Sequence, residues 1–310
     1  MRGLAAVLCI WLGSPAAAFG PFGDAQAYWE ARALYDAGKY AEVIERLSGP
    51  GMRSIRRGER PRAHELLGAS YERTGELQKA IAVYQFAAGL YPKDINILSN
   101  QANLLHRMDL DDRARPLYER VIEIHPNNAF GHRGLAEIFR AQGLHAEACD
   151  HYALALKEHH RDPNLWRGYA EALADRRDFI SAERAVERAL SIEEDAESRL
   201  DLADFQRAMR KPEAYASLDK AGEAAGARED IRLRRALWLL EDGRLDESLR
   251  EAESVLSAHA DEPLALWLRA SIRIRRGTEA GAREDLEIAA QAARDSPFIA
   301  RVSRALLDKR

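Results

Sequence analysis

The chain of 310 residues is 46% apolar, 31% charged and 7% aromatic, with a formal net charge of −4. Its length exceeds the roughly 250–300 residues at which a single hydrophobic core stops growing, which excludes one compact globule and leaves two domains or a one-dimensional stack. Interspersed acids and bases with a mildly negative balance exclude a basic footprint for nucleic acid, and the Ala-, Leu-, Arg- and Glu-rich composition favours helices over a sheet.

The first element in chain order is a leader. Arg2 supplies a positive start, the apolar run Leu4–Leu12 ends at Gly13, and Pro15 precedes the small residues Ala16-Ala17-Ala18, a pattern that predicts a cleavable signal peptide over 1–18. An uncleaved anchor is the alternative, although the run is shorter than the about 20 residues that a bilayer span needs. Cys9 follows Leu8 rather than a small residue, which speaks against a lipoprotein. Cleavage removes Arg2 and Cys9, so the chain becomes one unit more acidic and Cys149 is left as its sole thiol. An exported chain with one cysteine has no internal disulfide, and packing must hold it together. The expected location is periplasmic or secreted, with no integral membrane span after cleavage, because no later stretch is long and uncharged enough to cross a bilayer.

Residues 24–60 read as a first helix pair, with Ala31, Leu34, Gly38, Val43 and Leu47 in phase, followed by a longer connector from Ser48 to Arg60. Arg53, Arg56, Arg57 and Arg60 make that connector basic; a solvated loop is one reading, a contact for an acidic envelope component the other. From Pro61 to Ala196 a 34-residue period holds through four units without a gap. Leu67-Gly68, Tyr71, Gly75, Ala80, Tyr84, Ala87 and Pro92 return as Gln101-Ala102, Leu105, Asp109, Ala114, Tyr118, Val121 and Pro126. They return again as Leu135-Ala136, Phe139, Gly143, Ala148, Tyr152 and Ala155, then as Tyr169-Ala170, Leu173, Arg177, Ala182, Val186 and Ala189. Residues 197–228 fit poorly and predict a degenerate unit with a shortened turn around Arg210-Lys211-Pro212, since Pro163 to Glu229 is 66 residues rather than 68. The phase resumes over 229–296, in Ala236, Leu239, Gly243, Ser248, Ala252 and Val255 and then in Ala270, Gly277, Ala282, Leu286 and Ala289. Residues 297–310 predict a capping helix with the stripe Phe298, Val302 and Leu306, a membrane-surface or partner-binding helix being the alternative.

Over about 270 residues this pattern resembles the tetratricopeptide repeat, with its W-x2-L-G-x2-Y, Ala, aromatic and Pro positions. The resemblance implies an all-α fold: a right-handed α-α superhelix of about seven to eight helix-turn-helix repeats plus a C-terminal capping helix. His160 departs from it at a terminal Pro position, as do Asp109 and Arg177 where Gly75 and Gly143 stand. Small residues such as Gly68, Ala102, Ala136 and Ala170 are expected where paired helices approach most closely, facing Ala80, Ala114, Ala148 and Ala182. Tyr84, Tyr118 and Tyr152 are expected to fill the wider gap towards the next unit. One hairpin cannot bury its own apolar face, so the units must stack.

In this family the first helix of each unit lines a concave face along which partners lie. Carried over, that places Asn96, Ser99, Asn100, Asn103, His106 and Arg107 on the groove side of one unit. The next contributes Phe130, Arg133, Gly134, Glu137 and Arg140, and the one after it Asn164, Arg167, Gly168, Glu171 and Asp175. The asparagines suit an extended peptide backbone, since an amide both donates and accepts. Arg133 is expected to stack above Arg167, with Gly134 and Gly168 leaving room for a ligand; the alternative is that Glu137 and Glu171 pair with these arginines at four-residue spacing. The family's carboxylate clamp is not reproduced in the unit at Pro61, where Glu65 and Ala69 replace its Lys and Asn.

Catalytic signatures do not emerge. There is no glycine-rich phosphate loop, G-x-S-x-G or H-E-x-x-H; His64-Glu65 lacks a second His because Gly68 stands there. His145, Cys149 and His151, with His159-His160 beyond, make the one cluster weighed for a metal, against a buried thiol beside exposed histidines. Carboxylate runs such as Asp111-Asp112 and Glu193-Glu194-Asp195 read as solvated turns rather than an acid–base pair. The expectation is therefore a non-enzymatic protein without cofactor or metal. It would be a protein–protein interaction scaffold of the cell envelope holding a partner polypeptide segment in its groove. The alternative is a structural assembly subunit of an envelope machine, for polysaccharide export or outer-membrane biogenesis.

Overall fold

The computed structural model describes residues 25–226, 228–278, 281–293 and 296–308. The leader read over 1–18, with Cys9, lies outside the described residues. Eighteen helices and no strand occur among the described residues. The first half holds α1 (Ala25–Asp36), α2 (Tyr40–Leu47), α3 (Pro50–Ser54), α4 (Arg60–Arg73), α5 (Leu77–Leu90), α6 (Ile95–Arg107), α7 (Asp111–Ile124), α8 (Ala129–Ala141) and α9 (His145–Glu158). The second holds α10 (Pro163–Asp175), α11 (Phe179–Ile192), α12 (Ala196–Ala208), α13 (Ala214–Ala225), α14 (Glu229–Glu241), α15 (Leu245–Ala258), α16 (Pro263–Arg275), α17 (Ala282–Ala292) and α18 (Pro297–Asp308). The chain divides into two compact units, ending at Glu158 and starting at His159; the division does not fall near Pro212.

Each unit is built from antiparallel helix pairs closed by one device. The N–H five residues on donates back to the last turn of the first helix, as in Glu76 to Tyr71, Leu110 to Leu105, Leu144 to Phe139 and Arg244 to Leu239. That closure requires a left-handed residue just before the donor. Gly75, Gly143, Gly243 and Gly277 supply it, but Asp109 (φ 57), Arg177 (φ 63) and Arg210 (φ 56) adopt the same conformation with a side chain. A left-handed non-glycine carries about 1–2 kcal/mol of strain, partly offset because glycine makes the unfolded chain freer. Arg177→Gly is therefore expected to raise stability by about 0.5–1 kcal/mol, read as an upward shift of the unfolding midpoint, and Asp109→Gly by less, because Asp tolerates this region better.

Helix starts recur with the same capping chemistry, 34 residues apart twice and then 33. Asp94, Asn128, Asp162 and Asp195 precede α6, α8, α10 and α12, and each side chain accepts from backbone N–H groups of the first turn. The alanines of the period are fully buried, among them Ala80, Ala102, Ala114, Ala136, Ala148, Ala170 and Ala182. Tyr118 meets the expectation and Tyr84 departs from it. The Tyr84 ring lies on Gly68 of its own hairpin, where a Cβ would come within 2.4 Å, and the Tyr118 ring lies on Gly134 of the following one.

Three expectations change at the irregular segments. The basic connector is not a plain solvated loop: it contains α3, Ile55 is buried in the first core cluster, and Arg60 donates to the Ile55 and Arg53 carbonyls at 3.1 and 3.0 Å. In the degenerate unit the turn around Arg210-Lys211-Pro212 is longer than in its neighbours, running from Met209 to Glu213, while α13 is correspondingly shorter. The two missing residues lie instead in the links between pairs, at 193–195 and 226–228, each one residue shorter than the links 159–162 and 259–262. On α18 the buried positions are Ile299 and Ser303; Phe298 is exposed and lies under the Arg301 guanidinium.

Candidate functional site

In the first unit, α1, α4 and α6, the leading helices of successive pairs, enclose a cleft of about 420 Å³. Tyr28, Trp29, Arg32 and Tyr35 enter from α1, Arg62, Glu65, Leu66 and Ala69 from α4, and Asn96 and Asn100 from α6. Two predicted groove residues thus share one cavity. The Asp94 cap fixes the start of α6, so Asn96 donates its backbone N–H to Asp94 and keeps its side chain at the cleft. The Glu65 carboxyl is held at a pKa of about 7, first by burial and then by the nearby Asp94 charge, with Arg62 acting against both. Its Oε1 is buried without a hydrogen-bond partner.

Further along α6 the predicted residues are engaged in ion pairs. Arg107 Nη1 donates to Glu72 at 2.9 Å, and Glu72 also accepts the Tyr84 hydroxyl at 2.8 Å. His106 Nδ1 lies 2.6 Å from Asp111, and its Nε2 lies 3.7 Å from Glu137. Glu137 is shared with Arg133 at 3.5 Å, and Arg133 covers the exposed Phe130 ring. The four-residue pairing is therefore formed on α8. Ser99 and Arg140 are half-buried and Asn103 is exposed. Gly134 gives no room to a ligand, because a Cβ there would meet the Tyr118 ring at 2.2 Å.

Of the histidines beside Cys149, His151 is engaged by a second histidine, His132. His132 Nε2 donates to the Pro126 carbonyl at 2.9 Å, since a carbonyl can only accept, and His132 Nδ1 shares a hydrogen bond with His151 Nδ1 at 2.9 Å. Burial, and then His132, lower the His151 pKa, and its ring stacks on Phe139. Cys149 is buried, and no group of three or more metal-ligating side chains converges among the described residues.

In the second unit Asn164 is exposed on the first turn of α10, with its N–H on Asp162, while Arg167 reaches Glu171 at 3.8 Å. Glu171 and Arg167 both act on Asp201 of α12, whose pKa is pushed up to about 7, mainly by burial. Arg207 clasps the hairpins across the region of Pro212: it donates to Asp242 at 2.7 and 2.8 Å and its guanidinium lies over the Tyr215 and Trp238 rings at 5.9 and 5.5 Å. Sequence reasoning did not single out Glu65 as a site residue, nor Trp29, Asp201 or Glu72. Each stands at an ordinary helix position, and only the packing of neighbouring pairs buries it or aims it.

The sequence model of the tetratricopeptide repeat matches residues 53–95, 112–165 and 233–297, together just over half of the chain. The chain belongs to the tetratricopeptide-repeat family. A curated relative, Protein FlbA of Caulobacter vibrioides, is 25% identical over 213 residues, covering 65% of this chain and 35% of its own. The chain therefore spans about a third of that relative's length. Among solved structures, a tetratricopeptide repeat protein from Parabacteroides merdae superposes with a TM-score of 0.58 at 19% identity, over 80% of this chain and 99% of its own. PilW, a type IV pilus biogenesis factor, superposes with a TM-score of 0.60 at 15% identity, over 64% and 92%. At these identities the likeness is one of fold. Tetratricopeptide-repeat proteins bind protein partners, and the repeat is generally non-catalytic. No helix among the described residues is long and apolar enough to cross a membrane.

Proposed function

We propose that this chain is a non-catalytic scaffold of the cell envelope that holds a segment of a partner polypeptide along the leading helices of its repeats. The observation that carries the reading is the cleft between α1, α4 and α6, which combines aromatic rings with the paired amides of Asn96 and Asn100. Amides can hydrogen-bond an extended backbone while rings take its side chains. The leader pattern at 1–18 supports placing the scaffold in the periplasm or outside the cell. Pull-down of the tagged chain from an envelope fraction tests both parts. Asn100→Ala with Arg133→Ala is expected to abolish capture of the protein that wild type retains while leaving helical content unchanged, and the recovered chain is expected to lack residues 1–18. Undiminished capture by the double variant refutes the groove.

A second reading, an assembly subunit of an envelope machine, places the contacts on trailing helices. Phe86 (62% exposed) and Leu90 (52%), four apart on α5, favour it, since exposed apolar side chains at that spacing form one patch. Loss of capture in Phe86→Ser with Leu90→Ser, but not in Asn100→Ala with Arg133→Ala, selects this reading.

A further inference from the structure

The α1–α4–α6 cleft contains a carboxylate that its own surroundings do not satisfy. Glu65 Oε1 is buried and has no hydrogen-bond partner, and a buried acceptor left unpaired is disfavoured, more so when charged. The cations nearby do not resolve this. Arg32 is held by both carboxylate oxygens of Asp36 at 3.0 and 3.1 Å, and Arg62 lies exposed at the rim. The other walls are rings and amides: buried Tyr28, Trp29 set edge-on to it at 5.1 Å and 56% exposed, Tyr35, and the side chains of Asn96 and Asn100. A buried, unpaired carboxyl oxygen in an open, ring-lined cleft is matched, once ionised, by a cationic donor on a long apolar stem, whose head pairs with the carboxylate while its methylenes and charge lie against aromatic faces.

We propose that the cleft binds a lysine or arginine side chain of the partner segment, its cationic head on Glu65 and its stem against Tyr28 and Trp29, with Asn96 and Asn100 holding the adjoining backbone. The proposal rests on the groove reading above and specifies the chemistry of what enters it. An anionic side chain is rejected by Glu65 together with Asp94, which caps α6 beside it.

The site is pH-dependent. Asp94 at the start of α6 and Arg62 of α4 act on Glu65, Tyr84 of α5 interacts with it, and Tyr28, Arg32 and Tyr35 of α1 line the same cleft. Because burial keeps its pKa near 7, Glu65 must lose a proton to pair with a cation, so affinity rises as pH rises through about 7. Stability runs the other way. The folded pKa lies above the unfolded value, so the folded state binds the proton more tightly and loses stability as pH rises from about 4 to about 7. Glu65→Gln is accordingly expected to raise the unfolding midpoint at about pH 8 and to leave it unchanged near pH 4.

The test uses the full chain and three dye-labelled heptapeptides, Gly-Ser-Gly-X-Gly-Ser-Gly, where X is lysine, norleucine or glutamate, followed by fluorescence anisotropy into the millimolar range. The lysine peptide is expected to bind about tenfold or more tightly than either other peptide, and to lose that advantage with Glu65→Gln and below about pH 6. A higher unfolding midpoint in the same variant shows that the loss is not misfolding. Equal binding of the lysine and norleucine peptides, no binding of any of them, or full binding by Glu65→Gln overturns the proposal. Overturning it while Asn100→Ala with Arg133→Ala still abolishes partner capture leaves the groove standing. Lysine-selective binding with undiminished capture by that double variant leaves the cation site standing and removes the groove.

Discussion

Asp285→Ala is expected to destabilise the second unit by about 3 kcal/mol, measured as a lowered midpoint in urea or on heating. Asp285 opens the trailing helix of the last pair and is 4% exposed at its side chain. Arg269 donates to it at 2.6 and 2.9 Å, and Arg273 adds a third bond at 2.8 Å, both from α16. Removing the carboxylate leaves two guanidinium groups of the same sign facing an apolar helix interface, and the loss exceeds what any single bond contributes. The arginines are a quarter to a third exposed and can turn partly to water, which keeps the figure at the lower end for a broken buried pair. Gly281 is part of the same arrangement. It has φ +76, and a Cβ on it would come within 2.6 Å of the Arg273 guanidinium, so Gly281→Ala is expected to loosen the same clasp.

The second large effect lies at Gly134. Gly134→Ala is expected to destabilise the first unit by about 2 kcal/mol, although alanine ordinarily favours a helix by about 1 kcal/mol over glycine. The added Cβ meets three atoms of the Tyr118 ring at 2.2, 2.4 and 2.5 Å, and Tyr118 is itself buried and closely packed. The ring can escape only by leaving a site that has no spare volume. Tyr118→Val removes the obstacle, so the double variant Gly134→Ala with Tyr118→Val is expected to be about as stable as Tyr118→Val alone, and a full additive loss in melting experiments refutes the ring contact. In the second unit Val186 stands in register with Tyr118, and a residue with a side chain, Asp201, stands at the helix position of Gly134.

Much of the fold was legible because repetition makes local rules visible. The alanines from Ala80 to Ala182 recur at one phase, and a residue that must be small in every copy announces itself without any knowledge of its neighbour. The closing turns were legible for the same reason, down to the positions where Asp109 and Arg177 depart from glycine and adopt the left-handed backbone nonetheless. The irregular segments were less so. The deficit of two residues was visible, but its place was not, because a count over 66 residues does not say whether a turn, a helix or a link is short.

The candidate site was legible only in part. Asn96 and Asn100 follow from helix phase, and both reach the cleft. Arg133 and Glu137 were readable as a pair or as ligands, and their distance of 3.5 Å shows the pair formed. Glu65 was visible only as a departure from a family motif, since its burial depends on α1 and α6, which lie about thirty residues away on either side.

By itself, then, the amino-acid sequence determined the all-α repeat architecture, the helix phases and the family, because each of these follows from spacing along one helix pair. The tertiary structure decided which polar side chains close on a partner and which are left facing a cavity. Arg107 on Glu72, Asp285 between two arginines and Glu65 without a donor are all ordinary helix-surface residues in sequence. Their difference comes from desolvation and from partners on neighbouring helices, and neither exists until the pairs are stacked.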